Sequence, residues 1–166
     1  RCNPHNYNCS EMVFLSYDGT FEGFFSAVFE VYERKWSVVK IYKQHVEIPS
    51  LFADKMEVYT DLSKARRVIS KIEEISGKEG VQLLWKCYLS EIDGIENAML
   101  GAIRYLLKTG TNVFADFGDS DILTLKDTEK KIRRERHRMT AFVRFQLGTD
   151  NLYYALIEPD FDVLPL

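Results

Sequence analysis

The stretch Val13-Phe14-Leu15-Ser16-Tyr17-Asp18-Gly19-Thr20, continued by Phe21-Glu22-Gly23-Phe24-Phe25-Ser26-Ala27-Val28, changes its hydrophobic period at the centre. Before Asp18 the chain is a short apolar run with strand character. After Thr20, Phe21, Phe24, Phe25, Val28 and Tyr32 fall at i, i+3, i+4, i+7 and i+11, one face of a helix. Asp18-Gly19-Thr20 reads as the turn between them, with Asp18 or Thr20 capping the helix. A strand that leads directly into an amphipathic helix predicts a mixed architecture.

Outward from this stretch the chain is mostly helical in pattern. The four prolines stand at 4, 49, 159 and 165, so Ser50 to Glu158 lacks the strongest helix breaker. Residues 37–59 are less regular, with an extended stretch near Met56 to Tyr59. Asp61 then caps a helix carrying Leu62, Ala65, Ile69 and Ile72 and ending near Gly77; a second helix comes next with Val81, Leu84, Trp85, Tyr88 and Ile92, leaving Lys86 solvated. Asp93-Gly94-Ile95-Glu96 resembles a capping box opening a third helix, with Ile95, Met99, Ala102, Ile103 and Leu106 on one face and Gly101 allowing close packing. Asp119 caps a long helix to about Met139. Beyond it, Ala141, Val143, Phe145 and Leu147 alternate with Phe142, Arg144 and Gln146, and Leu152 to Glu158 forms a second run across Gly148-Thr149-Asp150-Asn151, so the region reads as a β-hairpin. The expected fold is α+β: a mainly helical core with a small antiparallel sheet made of the N-terminal strand and the C-terminal hairpin. Residues 1–11 read as an extension, and 12–166 as a single domain.

Composition fits this: of 166 residues, 46% are apolar and 28% charged, and the net charge is −3, which excludes disorder and collagen-like repeats. No membrane span or leader is expected, so the reading is a cytoplasmic protein with no membrane partner. Cys2, Cys9 and Cys87 are too few and irregular for a disulfide scaffold or a zinc site, so no metal or cofactor is expected; Cys87 reads as a buried small hydrophobe, and the sequon Asn8-Cys9-Ser10 as chance.

The charge is unevenly distributed. Between Lys126 and Arg144 stand eight basic residues (Lys126, Lys130, Lys131, Arg133, Arg134, Arg136, Arg138, Arg144) against three acidic ones, a local +5 that leaves −8 for the other 147 residues. On a helix Lys126, Lys130, Arg133, Arg134 and His137 share one face, while Leu125, Ile132 and Met139 form a stripe nearly opposite. Cations beside Phe142, Phe145, Tyr153 and Tyr154 suit a phosphate backbone and unpaired bases. The same pattern also fits a solvated helix whose charges serve solubility or meet an acidic surface. Arg144, on a strand face beside Phe142, is expected to have a fixed partner. Nucleotide-binding, hydrolase and metalloprotease motifs are missing from the sequence, as is the three-cysteine signature of a radical S-adenosylmethionine enzyme. Candidate acid/base groups are His137 with Glu22, Glu30 or Glu96, which would make the chain a nucleic-acid- or nucleotide-processing enzyme; a protein interaction module is the third reading.

The opening Met12 to Gly23, with Ala27-Val28-Phe29-Glu30 and Tyr32-Glu33, resembles that of a bacterial family of "probable DNA metabolism proteins". Gly94-Ile95-Glu96 and Arg104-Tyr105-Leu106 resemble its middle segment; Arg134-Glu135, His137-Arg138-Met139 and Phe142-Val143-Arg144-Phe145 resemble its most distinctive block; Ile157-Glu158-Pro159-Asp160 to Leu166 resembles the family's next segment. Tyr17, Asp18 and Glu22 belong to the same set. The resemblance implies a DNA-metabolism or repair-associated accessory domain. It would work with a radical S-adenosylmethionine protein or a uracil-DNA-glycosylase-like domain, to which such domains are sometimes fused, and DNA would be the partner. It assigns no catalytic residue, and it implies a further aromatic-rich segment after Leu166, so that 12–166 would be a domain shortened at its C-terminus.

Overall fold

The computed structural model describes residues 12–44, 54–155 and 160–161. The expected extension over 1–11, with Cys2, Cys9 and the sequon, lies outside them, as do 156–159 and 162–166. The elements are β1 (Val13–Tyr17), α1 (Phe21–Glu33), β2 (Val39–Lys43), β3 (Asp54–Val58), α2 (Leu62–Leu89), α3 (Ile95–Thr109), α4 (Ser120–Phe142), β4 (Gln146–Leu147) and β5 (Tyr153–Tyr154). The class is α+β, as expected.

The sheet differs from the expectation. β1 is the centre of a three-stranded sheet ordered β2-β1-β3, parallel to both neighbours, and the hairpin β4-β5 forms a separate antiparallel pair. The physical reason lies in β1 itself. Val13, Phe14, Leu15 and Tyr17 are all buried, so both faces of the strand are covered, as in a parallel strand with helices packed on it. Parallel neighbours need a crossover, and α1 supplies it between β1 and β2. The alternation of buried Val39 and Ile41 with exposed Lys40 marks β2 within the stretch that looked irregular.

Local rules placed the helices well. The Thr20 hydroxyl accepts from Gly23 N–H at 2.9 Å and caps α1. Asp61 caps α2 through Ser63 and Lys64, and Asp119 caps α4 through Asp121 and Ile122. α2 is two helices joined at Gly77, whose φ of 73° lies in the left-handed region, where the sequence placed a break. The α1 stripe buries Phe24, Phe25 and Val28 completely, but Val31 goes inside while Tyr32 stays 42% exposed. The expected capping box is absent. Gly94 is the N-cap of α3 without a side-chain bond, and Glu96 is buried instead, accepting a hydrogen bond from the Tyr17 hydroxyl at 3.2 Å. Gly101 does permit close packing: a Cβ there would sit 1.8 Å from Asp121 Oδ2 on α4.

The core joins β1, α1, α2, α3 and the first half of α4. Cys87 lies fully buried within it, its thiol donating to the Leu125 carbonyl at 3.3 Å, and burial pushes that thiol's pKa up to about 12. Among the described residues no helix is long and apolar enough to cross a membrane.

Candidate functional site

The outer face of α4 is built by its inner one. Ile122, Leu125, Thr128, Ile132 and Glu135 are buried, a spacing of three and four residues that fixes the helix's rotation against α2 and α3. Met139 is half-buried on the same stripe. That rotation turns Lys130, Lys131, Arg133, Arg134, Arg136, His137 and Arg138 out to solvent.

The cations then divide into two groups. Lys126 binds Glu129 at 3.4 Å, and Glu129 also takes Lys86 at 3.0 Å, so Lys86 is paired rather than simply solvated. Partial burial opposes ionisation of Glu129, yet Lys86 and Lys126 outweigh it and hold its carboxyl below the usual range. Arg138 is engaged twice, with Glu135 Oε2 at 2.5 Å and Asp160 Oδ2 at 2.9 Å, and the Asp160 N–H donates to Glu135 Oε1 at 3.4 Å. Lys130, Lys131, Arg133, Arg134 and Arg136 take part in no ion pair among the described residues. Arg133, Arg134, Arg136, His137 and Thr140 line an open depression of about 460 Å³, and among the described residues no carboxylate lines it. An anion is the ligand such a surface favours.

α4 runs three residues further than the sequence suggested, and β4 is correspondingly short. Phe142 is therefore the last helical residue. Arg144 sits exposed in the connection to β4 rather than on a strand face, and no fixed partner holds it among the described residues. The hairpin turn is closed by Gly148 N–H to the Leu152 carbonyl at 2.7 Å, with Asn151 at φ 63°. Phe145, Leu147, Leu152, Tyr153 and Tyr154 are each more than half exposed.

The four acid/base candidates stand in different environments. Glu22 is exposed in the first turn of α1. Glu30 binds Lys64 at 2.6 Å and Arg34 at 2.9 Å; these bonds overcome its partial burial and hold it ionised. Glu96 is buried beneath Tyr17. The depression that holds His137 contains none of the three glutamates.

Residues singled out by the family resemblance act as connectors across the fold. Tyr17 links β1 to α3 through Glu96, and Arg104 donates to the Trp36 and Ser37 carbonyls, both at 2.9 Å. Tyr105 donates to Asp116 at 2.6 Å, and Arg138 links two of the resembling blocks through Asp160. Asp18 binds Thr60 at 2.6 Å and Thr20 at 2.7 Å beside Gly23, where a Cβ would come within 2.1 Å of its carboxylate. Partial burial opposes Asp18 ionisation, but the Thr60 and Thr20 bonds prevail and lower its pKa. Thr60 is a partner that sequence reasoning could not find, since nothing marks it except its place before the Asp61 cap.

No curated protein and no solved structure matches the chain. Residues 93–166, which carry the basic helix and the hairpin, match a domain of unknown function, DUF4130.

Proposed function

We propose that this chain is an accessory nucleic-acid-binding domain of DNA metabolism, holding the DNA backbone along the outer face of α4 while a partner enzyme performs the chemistry. The observation that carries this reading is the set of exposed cations without ion pairs among the described residues, Lys130, Lys131, Arg133, Arg134 and Arg136, three of which line a concave surface with His137. The buried inner stripe makes their direction a property of the fold, so counterion release on meeting phosphates is available without rearrangement. The resemblance of the Arg134 to Phe145 block supports DNA as the polymer. It also supports a radical S-adenosylmethionine protein or a uracil-DNA-glycosylase-like protein as the companion, and a cytoplasmic location goes with that role.

Retention on DNA as a function of salt tests the reading. The full chain should bind with an affinity that falls steeply with salt, and a Lys130→Glu/Arg133→Glu/Arg134→Glu variant should lose that binding while melting at the wild-type temperature, because all three side chains are exposed. Each phosphate contact removed should flatten the log–log salt slope by about 0.9. Wild-type protein with no salt-sensitive DNA affinity would overturn the proposal.

A further inference from the structure

The hairpin after α4 displays what a small domain ordinarily buries. Phe145 is 66% exposed, Tyr153 69% and Tyr154 54%. Pairing sets Leu147 opposite Tyr153 and Gln146 opposite Tyr154, so aromatic rings project from both faces. The Tyr154 ring is fixed: its hydroxyl donates to Asp150 in the turn, and its Cε2 lies only 2.8 Å from where a Cβ on Gly148 would stand. One edge of the ring rests on the turn while more than half of the residue faces solvent.

These rings follow the cations closely along the chain. Only Val143, Arg144 and Phe145 separate the end of α4 from β4, a connection that spans at most about 10 Å when extended, and Arg144 within it is exposed. A DNA duplex would offer phosphates to α4 but keeps its base faces inside the stack, so the rings would meet nothing they could stack on. An unpaired strand offers phosphates and base faces together. We infer that the ligand of this surface is an unpaired nucleic-acid strand, its phosphates along Arg133, Arg134 and Arg136 and its bases stacked on Phe145, Tyr153 and Tyr154. The inference rests on the nucleic-acid reading above and narrows it to a strand class.

Fluorescence anisotropy of the full chain with labelled oligothymidylate of about 12 nucleotides, the corresponding oligouridylate and a DNA duplex of the same length tests it. At least one single strand should bind about tenfold or more tighter than the duplex. Phe145→Ala/Tyr153→Ala should weaken single-strand binding by about five- to a hundredfold per stacked base while leaving the salt slope and duplex affinity unchanged. Both side chains are exposed, so melting at the wild-type temperature is the folding control; a Phe145→Tyr/Tyr153→Phe variant should bind as wild type. Duplex binding equal to or tighter than single-strand binding, or ring substitutions that leave single-strand affinity untouched, would overturn the inference and leave the nucleic-acid reading standing. Dimerisation that Phe145→Ala/Tyr153→Ala abolishes would also overturn it, because a second copy would then cover the rings. Failure of all three probes to bind would instead sink the nucleic-acid reading itself.

Discussion

At the scale of single residues, Tyr17 and Glu96 make a buried polar contact between distant parts of the chain. Tyr17 is fully buried and Glu96 6% exposed, and they meet across 79 positions of sequence. Burial first, then the Glu96 charge, raise the Tyr17 pKa and keep the phenol a donor. Tyr17→Phe should therefore leave a buried carboxyl oxygen without its donor and cost about 1–3 kcal/mol in urea unfolding, whereas Tyr17→Phe/Glu96→Met should recover most of that loss. Recovery distinguishes a hydrogen-bond effect from a packing effect. Asp18 gives a pH signature. Its folded pKa lies below its unfolded value, so its contribution to stability is complete above the unfolded value, near pH 4, and is lost as pH falls through the folded one. Asp18→Asn should flatten the acid limb of a melting-temperature profile below about pH 4 and barely change its slope near neutrality. Neither Tyr17 nor Asp18 announced its partner in the sequence, because Glu96 and Thr60 are brought to them by tertiary packing across 79 and 42 positions.

At the scale of elements, period and capping chemistry decided what was legible. Asp61, Thr20 and Asp119 cap their helices because a cap is a local device of three or four residues. Asp93 does not, because Glu96, the other half of the expected box, is drawn inward by Tyr17; a tertiary contact defeats a local one there. The register of α4 followed from Leu125 and Ile132, both buried as the stripe required, but its end did not: Ala141, Phe142 and Val143 fit either period. β2 escaped because a strand of five residues within the stretch 37–59 leaves little alternation to recognise. The joint inside α2 gives this scale its prediction. A Cβ on Gly77 would touch nothing within 4 Å, but φ 73° with ψ 178° is a backbone region open essentially to glycine alone, so Gly77→Ala and Gly77→Asn should each cost about 1–3 kcal/mol. A larger loss on chemical denaturation would mean that the angle between the two halves of α2 had changed.

At the scale of the whole molecule, the N-terminal parallel sheet and the C-terminal helix-hairpin differ in how they relate to solvent. The first hides an almost continuous apolar strand between layers, whereas the second exposes cations and rings on elements that contribute little to the core beyond Leu125. The total charge of −3 concealed this division, and only the local +5 around α4 revealed it. Arg138 has a consequence at this scale. Its bridge to Asp160, 22 residues onward, returns the chain to α4 after the hairpin, so the hairpin belongs to a closed loop rather than to a free tail. Closing a loop confines everything inside it, and the rings are therefore kept within a shorter reach of α4 than a dangling segment would allow.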